Sequence, residues 1–280
     1  MQHRRFYSWA ACFAGLVLMG YPYAPILRRL LDHWLTDAEM AHSVIVPFVV
    51  AALLLRRRTQ LSAIHPRPSF LGIIPLALGV FGYGIALWGG GLFLAVLSGV
   101  ASALGVILLT LGAQIFRMAM PSLSLCVFAF PRLNLVYDPL TNPLQQLSAT
   151  IATHALALFG VDATHSAALI SVGGSPVVLT EACSGVRFLL PLLFVAAVIA
   201  EICKPRWTAA AALLASTIPL TLAVNALRIA VLAYIVGAKH TRLFDLAHTW
   251  LSYPLYLLAL LLLLSFAKRT GQHSMMRMAS

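Results

Sequence analysis

Charge is scarce in this sequence. Only 10% of its 280 residues are Asp, Glu, Lys or Arg, and just 8 are acidic. So little charge cannot solvate the surface of a soluble domain of this length. Paired cysteines are missing too. Cys12, Cys126, Cys183 and Cys203 form no CxxC and share no metal-type spacing with histidine, which argues against a zinc fold or a disulfide scaffold. No metal or cofactor is expected. There is no internal repeat, low-complexity tract or flexible linker, so residues 1–280 read as a single integral membrane domain. The first apolar run follows Arg4 and Arg5 but ends in no clean small-residue cleavage site, and reads as a retained helix.

What remains is apolar: 61% of residues are hydrophobic and the mean hydropathy is +0.91. The formal net charge of +11 falls between the apolar runs and forms no continuous patch. It reads as a topology signal and not as a nucleic-acid surface. The runs lie at Ser8–Ile26, His42–Leu55, Phe70–Trp88, Leu92–Ala113, Met118–Phe130, Val186–Ile202, Trp207–Val236 and Trp250–Ala267. The second and fifth are short for about 30 Å of hydrocarbon. The expected fold is an all-α polytopic membrane protein of about eight transmembrane helices. With both termini cytoplasmic, twelve basic residues face inward, among them Arg56, Arg57, Arg58, Lys204 and Arg206, against five outward. That asymmetry satisfies the positive-inside rule and suits a bacterial inner membrane with an outward-facing site.

Between the fifth and sixth runs, Pro131 to Glu181 breaks the threading. The stretch opens with proline-broken polar sequence, "PRLNLVYDPLTNPLQQ", and continues as a moderately apolar helix, "LSATIATHALALFG". It ends in "SAALISVGGSPVVLT", a β-hairpin or extended turn around Gly173-Gly174. In the eight-crossing arrangement this segment lies along the outer surface.

Ionisable groups inside spans usually face a cavity, a partner or a reaction. Arg228 stands in "LAVNALRIAVLAY", with Asn225 three residues before it on the same helix face. His248 stands just before the last run. The stretch "VVLTEACSGVRFLLPLLF" sets Cys183 between Glu181 and Arg187 at the start of the sixth. The threading brings the thiol, guanidinium and imidazole to one outer level. A positive group beside a thiol favours the thiolate, which attacks a peptide carbonyl. Histidine can protonate the leaving amine, and arginine can stabilise the oxyanion. The plainer alternatives are an inert membrane cysteine, an arginine paired with Glu181, and an interfacial histidine. A transporter or scaffold using Glu181, Asn225 and Arg228 as a polar path is a further alternative.

The runs "EACSGVR" at Glu181–Arg187 and "NALR" at Asn225–Arg228, with His248 after them, resemble the exosortase/archaeosortase family. So does "EMAHSVIVPFVVAALLLRRR" at Glu39–Arg58, and the likeness extends over roughly residues 39–267. The resemblance implies a membrane cysteine protease or transpeptidase. Cys183 would be its nucleophile, Arg228 its electrostatic helper and His248 its acid/base, with His240 in reserve. Glu181, Gly185, Arg187 and Asn225 would support them. The implied partners are membrane-tethered proteins with a C-terminal sorting signal: a Pro-Glu-Pro-type motif, a transmembrane helix and a basic tail. The implied acceptor is water, an amine, or an exopolysaccharide-linked or lipid-linked group.

Overall fold

In hydrocarbon no water is present to satisfy backbone N–H and C=O groups, so long apolar runs must fold as helices. A computed structural model describes residues 2–132, 134–166, 169–178 and 185–276. Five of its helical stretches are long and apolar enough to cross a membrane: Phe6–Thr36, Phe70–Thr110, Val186–Cys203, Trp207–Gly237 and Arg242–Arg269. Ala41–Arg56 and Ala113–Ala129 are shorter apolar helices. Large apolar side chains such as Phe48, Phe81, Trp207 and Leu261 stand exposed on them, as lipid contact requires. The protein is a multi-pass helical membrane protein. Its chain divides into two compact units, Met1–Leu133 and Asn134–Ser280.

The first unit opens with α1 (Gln2–Thr36), which carries Pro22 and Pro25 inside it. A 3-10 turn at Ala41–Val44 leads to α2 (Val46–Arg56), with a proline in its first turn, and then α3 (Arg58–Ala63). Next come α4 (Ile73–Ile85), α5 (Gly91–Thr110) and α6 (Ala113–Leu123), the last continuing as a 3-10 helix over Ser124–Ala129. The 41-residue apolar stretch from Phe70 therefore holds two helices. Non-helical backbone at Gly89 breaks it, and the halves pack antiparallel. Gly72 sits against Gly105 and Leu109, and Gly79 against Ser98 and Ser102. A Cβ at Gly105 would come 2.6 Å from the Leu76 nitrogen, so small residues here allow the backbones to touch. Tyr23 of α1 adds a hydroxyl bond to Ser98 at 3.2 Å. At the far end of α1, Arg132 meets Glu39 at 3.2 Å and Asp37 at 3.7 Å.

The second unit is built around a central helix. It comprises α7 (Asn134–Leu158), strands β1 (Ala163–Ser166), β2 (Leu169–Val172) and β3 (Ser175–Val178), then α8 (Val186–Cys203), α9 (Trp207–Gly237), α10 (Thr241–Trp250) and α11 (Ser252–Met276). One face of α9 packs Ala226, Ile229, Ala230 and Ala233 against Ala149, Ala152 and Leu156 of α7 and Ile170 and Val172 of β2. Another packs Leu213 and Val224 with Phe188, Leu192 and Ala196 of α8 and Leu255, Ala259 and Leu263 of α11.

Two features of this unit differ from the sequence reading. The proline-broken stretch is helical from Asn134 onward. Pro139 and Pro143 stand four residues apart, so both rings share one exposed face, and the helix tolerates two missing backbone donors. The hairpin does form, with Val172 opposite Ser175. Gly173 and Gly174 both take positive φ, 56° and 78°, as a two-residue I′ turn demands. A third strand, β1, pairs antiparallel with β2, and the sequence reading did not anticipate it.

Candidate active site

At 3.6 residues per turn, Thr217, Thr221, Asn225 and Arg228 share one stripe of α9. The stripe falls between Val224, which faces α8 and α11, and Ile229, which faces α7 and the sheet. All four are fully buried, at 0% exposure. Within the span of the stripe, between Thr217 and Thr221, Pro219 removes the donor that would reach the Ala215 carbonyl. Ser216 and Thr217 turn their hydroxyls back onto Leu213 O (2.7 Å) and Leu214 O (2.6 Å), so these two hydroxyls are satisfied within the helix. Across the packed face, α7 buries Gln145 and Ser148. Polarity inside this unit is thus concentrated on α9 and the helix packed against it.

The start of α8 lies against this stripe. Gly185 is buried and takes φ +83°, a left-handed backbone. Its carbonyl accepts bonds from Phe188 N (2.9 Å) and Leu189 N (3.1 Å), which opens the helix. A Cβ at Gly185 would stand 3.2 Å from Asn225 Nδ2, so the backbone of residue 185 rests on that amide. Any larger residue would meet both a conformational penalty and Asn225. Arg187 follows in the first turn of α8 and is half-buried. The helix dipole disfavours a cation at that end, so the guanidinium gains from an anion placed nearby. Cys183 and Glu181 lie outside the described residues. β3, which ends at Val178, and Gly185 bracket the segment that carries them.

His248 is exposed on the last turn of α10, its ring 5.7 Å from that of Phe244. One residue, Leu251, separates α10 from α11, and its backbone keeps helical angles. No hydrogen bond joins His248 to Asn225 or Arg228 among the described residues. His240 precedes α10, its backbone N–H on Ile235 O at 3.2 Å. Among the described residues no group of three or more His, Cys, Asp or Glu could hold a metal ion.

A family model described as transmembrane exosortase matches residues 34–265. The chain belongs to the transmembrane exosortase family. Comparison with curated proteins and with solved structures returned no match. In this exosortase-family chain, sequence reasoning selected Asn225 and Arg228 but passed over Thr217 and Thr221. The signal was available, since 217, 221, 225 and 228 advance by four, four and three and so share a helix face. Gln145 was hidden in the proline-broken stretch, and Ser148 lay in the helix read for residues 147–160 with nothing to mark it as buried.

Proposed function

We propose that this exosortase-family protein is a membrane cysteine transpeptidase that cleaves the C-terminal sorting signal of exported, membrane-tethered proteins. The contact of the Gly185 backbone with Asn225, one helical turn from the buried Arg228, carries this reading. Two peptide links reach at most about 7 Å, so the sequence alone keeps Cys183 within that distance of Gly185.

In the proposed reaction the Cys183 thiolate attacks the scissile carbonyl, and the tetrahedral oxyanion takes hydrogen bonds from Arg228. Asn225 holds the start of α8 beside that guanidinium. As the C–N bond breaks, His248 gives its proton to the departing amine, leaving a thioester on Cys183. Water, an amine or a hydroxyl acceptor then loses its proton to His248 and attacks the thioester. The acyl group leaves with the acceptor and the thiolate is restored. The acidic residue of a Pro-Glu-Pro-type motif suits Arg187 better than Arg132, because Asp37 and Glu39 already neutralise Arg132. Release to an exopolysaccharide-linked acceptor is the export route this reading favours, from an inner-membrane enzyme whose site faces outward.

The test is processing of a tailed substrate by Cys183→Ala, with protein level and membrane insertion measured alongside. Processing should be lost while insertion is kept, and Cys183→Ser should behave alike. Alanine at Cys12, Cys126 or Cys203 should cost little. Full processing by Cys183→Ala would overturn the nucleophile assignment. It would favour a transporter or scaffold, whose flux would survive the change.

A further inference from the structure

A second site lies in the Met1–Leu133 unit. A cavity of about 610 Å³ opens among α1, α2, α3, α5 and α6, a size that suits a bound small molecule. Its walls are apolar, with Cys12 and Leu16 on α1, Leu54 on α2, and Ile107, Ile115 and Ala119 beyond them. Two polar residues break that lining, Arg58 and Ser62, both on α3.

The charge at this end of the unit is of one sign. Arg57 is committed to the fold, donating to the Met118 carbonyl from Nη1 at 2.6 Å, while Arg56, Arg58 and Arg117 are exposed. The unit's three acidic residues, Asp32, Asp37 and Glu39, lie in or just past the last turns of α1. Cys12, in the cavity wall, lies twenty residues earlier on the same helix. At 1.5 Å per residue that is about 30 Å, a bilayer core away. No carboxylate of this unit is placed to neutralise Arg58, so its counter-charge must come from outside the unit.

We infer that this cavity binds one anionic phospholipid, its acyl chain in the apolar chamber and its phosphate on Arg58 and the neighbouring arginines. Basic pockets between transmembrane helices are recurrent sites for anionic lipid headgroups. A substrate's spanning helix does not fit. It would be about 30 Å long and 10 Å across, several times the chamber's volume, and a basic tail would meet arginines.

The test is native mass spectrometry of the full-length protein released from nanodiscs containing equal phosphatidylglycerol and phosphatidylcholine. One phosphatidylglycerol should be retained with a preference of about tenfold, the scale of one charge-assisted contact. Arg58→Gln, at an exposed position, should bring that preference close to parity. Ala51→Trp, which fills the chamber from its exposed wall, should reduce retention of both lipids. Equal retention by the unaltered protein, or an unchanged preference in Arg58→Gln, would overturn the inference. So would displacement of the lipid by an apolar helical peptide with a basic tail. Because Arg58 lies outside the proposed catalytic set, a failure here leaves the transpeptidase reading standing, and a failure of Cys183→Ala leaves this one standing.

Discussion

A buried guanidinium presents five donors in one plane, whereas an ammonium in its place presents a compact charge. Arg228 is fully buried and shares its stripe with Asn225, which the start of α8 touches. If the planar fork holds the oxyanion, Arg228→Lys should insert normally and lose about a hundredfold or more in processing rate, on the order of 3 kcal/mol. Wild-type rates from Arg228→Lys, normalised to protein level, would make the arginine structural. Asn225→Ala should be milder, since it removes a positioning amide and no charge. At this scale the sequence was informative wherever chemistry was out of place, as with an arginine in an apolar helix. It marked Thr217 and Thr221 only by their helical spacing from Asn225, because threonine in an apolar helix is unremarkable until its burial is known.

At the scale of elements, the small sheet leads directly to the cysteine segment. Ile170 is fully buried in the cluster shared by α7, β2 and α9, and the alternation of exposed Leu169 with buried Ile170 and Val172 sets which face of β2 points inward. Ile170→Ala should destabilise the second unit by about 2–5 kcal/mol, the usual cost of such a truncation. It should also lower processing, although it touches no reacting group. Thermal unfolding in detergent together with the processing rate would check this; unchanged values for both would separate the sheet from the site. The hairpin was readable because Gly173-Gly174 marks a two-residue turn. The helix through Pro139 and Pro143 was not, because prolines signal a break unless their common face is known to be exposed. β1 is short and its residues are mixed, so nothing in "ATHS" announced a strand.

For the molecule as a whole, the apolar runs predicted their own helices well, since in lipid hydropathy and backbone satisfaction point the same way. All eight fall on helical segments, and two of them share the Phe70–Thr110 stretch, which Gly89 divides. Side assignment rests on arginine placement. A reporter fused at Thr59, beside Arg56–Arg58, should report the cytoplasm. A periplasmic signal there would invert the arrangement and put the proposed site on the wrong face.

The polar stripe of α9 also bears on how the protein is made. An arginine at the centre of a lone helix costs about 3 kcal/mol to insert, and Asn225, Thr217 and Thr221 add to the burden. In the finished unit all four are covered by neighbouring elements. Ribosomal order delivers α7, the sheet and α8 before α9, so some of that cover exists when α9 enters the membrane. The remainder arrives with α11, whose Leu255, Ala259 and Leu263 close the cluster beside Val224. Chains halted after Gly237 should therefore be poor lodgers in the bilayer and ready prey for membrane proteases, with a pulse-chase half-life well below that of the full chain. The residues proposed to give the enzyme its chemistry would thus also make incomplete copies visible to quality control.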